Sequence, residues 1–104
     1  MFARNVRIQL KPNTSAQFTQ TLEKEVIPML RKQDGFRDEV TFIVPGGAEA
    51  YAISFWQSEE KAEAYGRTGY PEVLKALSKV VEGTPQLQNY EVSNSTFHHI
   101  AARA

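Results

Sequence analysis

Val6, Ile8 and Leu10 alternate with Asn5, Arg7 and Gln9 near the start of the chain. A period of two predicts a strand over residues 2–10 with one face on a core. Lys11-Pro12-Asn13 ends it. Thr14 stands as an N-cap, with Gln17 three residues later at capping-box spacing. Phe18, Leu22, Val26, Met29 and Leu30 then recur at helical intervals, so one stripe faces the core. Pro28 lies inside this helix and removes a backbone donor, which should bend its last turns. Gly35 supplies the stop.

Residues 36–44 predict a second strand, with Val40, Phe42 and Val44 on one side. Pro45-Gly46-Gly47 makes a turn into a third strand over residues 48–56, where Tyr51, Ile53 and Phe55 alternate. Two such runs around a short turn signal a hairpin. Ser58 caps the next helix, and Glu59 and Glu60 sit at its positive end. The helical pattern breaks at Gly66 and Gly69, and Pro71 restarts it in a first-turn position. Val73, Leu74, Leu77, Val80 and Val81 form the second stripe, so this region reads as two pieces joined by a kink from Gly66 to Tyr70. Gly83-Thr84-Pro85 stops it. A fourth strand follows over residues 87–97, with Tyr90 and Val92 in phase, and residues 98–104 form a tail.

The order is strand, helix, strand, strand, helix, strand. This predicts an α+β chain with a ferredoxin-like βαββαβ fold and a four-stranded antiparallel sheet. Right-handed crossovers place both helices on one sheet face. The other face is left bare, and Ile43 and Trp56 are expected on it beside Asn5 and Arg7. A bare, partly apolar sheet face is an association surface, so the expected partner is a second copy of the chain.

At 104 residues the chain is one domain, residues 1–104. Twelve basic residues balance twelve acidic ones, which leaves no field to draw nucleic acid or an anionic membrane. No apolar run approaches the ~20 residues of a membrane span. The first ten residues lack the apolar centre of a signal peptide, so the expected address is cytoplasmic. With no cysteine, disulfides and thiolate chemistry are excluded.

Candidate chemistry is sparse. Trp56, the one tryptophan, could wall a pocket for an aromatic ligand, but packing at the end of the third strand is the weightier reading. Tyr65 and Tyr70 flank the helix break with Arg67 between them, a place for a pocket mouth where phenol hydroxyls could orient a phenolate. Phe18 is the fifth pocket candidate. His98 and His99 point to opposite sides of an extended tail and cannot chelate one metal, so no metal site is expected. Asp38-Glu39 reads as a solvated edge, and no carboxylate pair suggests acid–base work. No residue is assigned a catalytic role.

Trp56-Gln57-Ser58-Glu59-Glu60 resembles the W-x-S-x-E passage of the antibiotic biosynthesis monooxygenase family. Residues 28–36, Leu10-Lys11-Pro12-Asn13 and Tyr90-Glu91-Val92 are similar to that family's first-helix end, first turn and last strand. The resemblance implies a dimeric α/β barrel, each chain contributing half. It also implies oxidation of a small aromatic or quinone-like compound without metal, flavin or other cofactor. One branch of the family degrades haem with an asparagine on strand one and a tryptophan and a histidine on helix two. Here Asn5 is out of phase with the core residues, and Tyr65 and Lys75 stand near the other two places, which argues against haem. The alternative reading is a non-catalytic dimeric domain that holds a small hydrophobic metabolite. A third is a fully packed domain whose role lies in assembly.

Overall fold

A computed structural model describes residues 1–97 of the chain. Strand β1 (Phe2–Leu10) is central, with β3 (Glu49–Trp56) on one side and β4 (Val81–Glu91) on the other. Strand β2 (Phe36–Ile43) pairs with the outer edge of β3, which gives a four-stranded antiparallel sheet in the order β2-β3-β1-β4. The helices cover one face. The first helical region runs through α1 (Ser15–Thr21), a π-helical turn (Leu22–Val26) and α2 (Ile27–Arg31). The second is α3 (Glu59–Thr68) followed by α4 (Tyr70–Leu77). This is the α+β ferredoxin-like architecture expected from the hydrophobic pattern.

Pro28 accounts for the π turn. A helical residue donates its N–H to the carbonyl four places back, here Lys24, and proline has no N–H and crowds that carbonyl. The turn that contains Lys24 is the one that opens to π geometry. Thr14 does precede α1, but its hydroxyl donates to the Lys11 carbonyl (2.7 Å) instead of capping the helix, so no capping box forms with Gln17. Ser58 does cap α3, with its Oγ accepting from the Lys61 amide.

The strand phases depart from the expectation in two places. In β1, Phe2, Arg4, Val6, Ile8 and Leu10 face the helices, opposite Trp56, Ser54, Ala52 and Ala50 of β3. Tyr51, Ile53 and Phe55 therefore face the bare side, and Trp56 is fully buried under the helices. The large residues of β3 do not mark its core face because that face carries alanine and serine to admit the helices. In β2, Phe36 pairs with Trp56 and the register then slips at Arg37 before Asp38 pairs with Phe55. This bulge inverts the alternation. Beyond it Glu39, Thr41 and Ile43 lie on the helix side, and Val40 and Phe42 lie on the bare side. Ile43 is thus not on the open face.

The fourth strand begins at Val81, six residues before the expected start. Helix α4 already ends at Leu77, so Gly83-Thr84-Pro85 is not its stop and Val81 belongs to the strand; β4 is an edge strand and absorbs the three residues where its register with β1 shifts between Arg7 and Gln9. His98 and His99 lie outside the described residues.

Candidate functional site

The second helical region is in two pieces, as expected, but the break is narrower than Gly66 to Tyr70. Gly66 lies inside α3, and only Gly69 separates α3 from α4. Both serve close approach. A Cβ at position 66 would stand 2.7 Å from Nη1 of Arg4, and one at position 69 would stand 2.7 Å from the Tyr65 ring. The helix is thinned where an arginine and a tyrosine press against it.

Arg4 is the unusual residue. Its phase on β1 points it at the helices, and it is only 4% exposed. Its guanidinium lies 5.2 Å from the centre of the Tyr65 ring and 4.9 Å from that of Tyr70. Both distances are within cation–π range. Nε and Nη2 have no hydrogen-bond partner among the described residues, and Arg4 takes part in no ion pair there. Burial pushes its pKa down from the ordinary arginine value, while the two tyrosines pull it back up. Burial also raises the pKa of both phenols, against the pull of Arg4. Tyr65 and Tyr70 are therefore neutral hydroxyl donors near neutral pH.

Tyr65 is held from behind. Its ring stacks on Trp56 at 4.6 Å, and Trp56 in turn meets Phe36 edge-on at 5.5 Å. The Trp56 indole Nε1 donates to Ser54 Oγ at 2.9 Å, which leaves the serine hydrogen to be donated elsewhere. The β-sheet register then aligns three polar side chains in a row on the helix side. Glu39 pairs with Ser54, and Ser54 pairs with Arg4.

A cavity of about 40 Å³ lies above this row, between sheet and helices. Arg4, Glu39 and Ser54 line its floor, Tyr65 and Tyr70 its wall, and the rest of the lining is mainly aliphatic. Since one water needs roughly 10–15 Å³, the cavity holds a few waters or a dioxygen, not a ring. An aromatic ligand has to displace the half-buried side chains of Tyr70 and Leu74, which also line it.

The five residues singled out from sequence separate in the structure. Tyr65 and Tyr70 line the cavity. Trp56 stands behind Tyr65, on the helix side and not on the open face. Phe18 is fully buried in the core and does not line the cavity. Arg67 is exposed, beside a shallow groove with Gln33 and Glu60. Sequence reading missed Arg4, Ser54 and Glu39. Arg4 was visible as a charge in phase with Val6, Ile8 and Leu10. Glu39 was not, because the bulge that turns it inward leaves no mark in the alternation.

The family model for antibiotic biosynthesis monooxygenases matches residues 1–78. The chain belongs to the antibiotic biosynthesis monooxygenase family. Solved structures share the fold at low identity. The ActVA-Orf6 monooxygenase of Streptomyces coelicolor, in complex with nanaomycin D, is 19% identical with a TM-score of 0.77, over 90% of this chain and 88% of that one. SnoaB of Streptomyces nogalater, a cofactor-independent oxygenase, is 14% identical with a TM-score of 0.72, over 91% and 95%. The NE2512 protein of Nitrosomonas europaea, of unknown function, is 17% identical with a TM-score of 0.75, over 91% of each chain. No curated protein sequence matches this chain.

Within this family member the haem arrangement is not assembled. Asn5 pairs with Ile53 on the bare sheet face, and Lys75 is exposed on α4 and ion-paired with Glu72. No group of three side chains able to hold a metal occurs among the described residues. No helix there is long and apolar enough to cross a membrane.

Proposed function

We propose that this family member is a cofactor-independent monooxygenase, an oxidoreductase of one domain and cytoplasmic address, acting on a small phenolic or quinone-like aromatic. The observation that carries this reading is the buried Arg4, unpaired among the described residues, on the floor of an aromatic-walled cavity. A desolvated cation with open donors binds an anion far better than a neutral ligand. A phenolate or enolate oxygen supplies that anion, and its ring takes the space that Tyr70 and Leu74 now fill beside Tyr65. The substrate anion is itself electron-rich, so it reduces dioxygen directly, and the protein binds, orients and excludes bulk water. For a ring methylene flanked by aromatic carbons the balance is CH2 plus O2 to C=O plus H2O. Carbon gives up four electrons, one oxygen atom enters the product and the other leaves as water. The family match and the monooxygenases among the structural relatives support the same reading.

Oxygen uptake decides it. With anthrone-type and hydroquinone-type compounds in air, the wild-type protein is expected to consume oxygen well above the protein-free rate. Uptake at the protein-free rate across a broad panel would sink the oxygenase reading. A tightly held ligand that is never turned over would leave the binding-domain alternative.

The active unit in this reading is a homodimer joined through the open sheet face, giving a dimeric α/β barrel. Val40, Phe42, Tyr51, Ile53, Phe55 and Tyr90 gather on that face, and Phe42 and Tyr90 are about half exposed at 55% and 51%. An apolar patch of this kind is unusual for a monomer. Ile53→Asp puts a charge at the patch centre and should lower the mass seen by light scattering at micromolar concentration from dimer to monomer. Ile43→Asp, at the end of β2 on the other side, should not. A monomeric wild type would overturn the dimer.

A further inference from the structure

The cavity floor contains a second ionisable group that the binding of an anion leaves unexplained. Glu39 lines the cavity and also lines a surface groove with Arg31 and Arg37 on the outer side of β2. It stands between the site and water, at the strand edge. The β2 bulge puts it there: with regular alternation after Phe36, Glu39 would face the bare side. Across the sheet it shares a row with Ser54 and Arg4, and it forms no ion pair with Arg4. The row thus holds a carboxylate at one end, a cation at the other and a hydroxyl donor between them.

We infer that Glu39 is the proton acceptor of the site, taking the proton from a carbon or oxygen acid whose anion Arg4 then holds. The inference rests on the aromatic-substrate reading above and narrows it to compounds with an acidic C–H or O–H conjugated to an oxygen. In the step, the substrate C–H bond breaks, an O–H bond forms on Glu39, and the electron pair stays on the substrate, delocalised onto the oxygen facing Arg4 and Ser54. Nothing is oxidised at this stage. The proton leaves from Glu39 through the groove at Arg31 and Arg37.

The electrostatics agree with this role. Burial raises the Glu39 pKa and neighbouring Asp38 raises it further, while the hydroxyl of Thr41, which donates to the Glu39 carboxylate, lowers it. Tyr65 faces it from α3 and senses its charge, and Arg4 lies beyond Ser54. A general base works best with a pKa drawn toward the operating pH.

The test separates proton abstraction from oxygenation by working without oxygen. Anthrone is incubated anaerobically in heavy water with the protein, and exchange of its methylene hydrogens is followed by NMR. Wild type is expected to accelerate exchange over the protein-free rate. Glu39→Gln should lose roughly 100- to 10,000-fold of that acceleration, the usual share of a general base. The wild-type rate should rise with pH through the raised Glu39 pKa and level off above it, because the ionised form is the base. Thr41→Val removes the hydroxyl that stabilises the ionised form, so the same limb should move to higher pH with the plateau retained. This second variant decides the matter if Glu39→Gln does not fold. Full exchange activity in Glu39→Gln, an unmoved limb in Thr41→Val, or no exchange by wild type each overturn the inference. Exchange without oxygen uptake would keep Glu39 as the base and sink the oxygenase reading instead.

Discussion

Arg4→Met should give a protein that is more stable than wild type and unable to hold its ligand. An arginine buried to 4% exposure, with Nε and Nη2 unpartnered among the described residues, carries a desolvation cost that two tyrosine faces offset only in part. Apolar side chains of similar volume that replace buried charges are neutral to stabilising by about 1–4 kcal/mol. Methionine follows the same path through the core without the charge and is compliant enough to fill the gap. At about 4–8 °C per kcal/mol for a domain near this size, even ~1–2 kcal/mol raises the melting temperature by roughly 4–16 °C. A hydrogen bond to a charged group contributes about 1.5–3 kcal/mol, so phenolate binding should weaken by roughly 10- to 100-fold. Arg4→Lys keeps the charge but not the planar fork, and should fall between. Thermal melts and calorimetric titration with a phenolate ligand measure both effects. A destabilised Arg4→Met protein would mean that the cation has a structural partner, and the case for an anion site would fall with it.

That trade-off explains why so much of the fold, and so little of the site, was legible in the sequence. The element order follows from alternation and helical spacing, which depend only on which residues are apolar. Ser58 marks a helix start through local backbone chemistry and does so in the structure, whereas Gly35 is not the helix stop: α2 ends at Arg31 with Lys32 as its cap, and Gly35 takes a positive φ in the turn that opens β2. The site depends instead on register and on exceptions. Glu39 turns inward because of one extra residue in β2, and alternation cannot register an insertion that leaves its polarity pattern plausible. Trp56 was placed on the wrong side because the core face of β3 is made of Ala50, Ala52 and Ser54 and its exposed face of larger residues. Gly66 and Gly69 read as breakers in a single chain, yet their reason is the side chains of Arg4 and Tyr65, distant or adjacent in sequence, that need the space. Arg4 itself was in plain view, in phase with the core, and a charge on that side of a strand is the kind of local conflict that marks a functional position.

Trp56→Ala should be the most damaging single substitution in the chain. The indole is fully buried, stacks on Tyr65, meets Phe36 edge-on and donates to Ser54. Truncating a buried tryptophan to alanine costs about 3–5 kcal/mol. Native domains are stable by about 5–15 kcal/mol in all, so the loss is a large share, and the melting temperature should fall by roughly 15–30 °C. Trp56→Phe keeps a ring against Tyr65 but leaves Ser54 Oγ without its indole donor, at a cost of about 1–3 kcal/mol. The pair of variants separates scaffold from chemistry. Behind Tyr65, an alanine leaves a void into which the phenol ring can tilt, and Arg4 then loses one of its two aromatic faces. Trp56→Ala should therefore weaken phenolate binding even at temperatures where it is folded. Trp56→Phe, with the stack preserved, should bind within a few-fold of wild type. Urea or thermal unfolding beside a binding titration checks both. Equal binding by the two variants would show that Trp56 supports the fold and not the position of Tyr65 over Arg4.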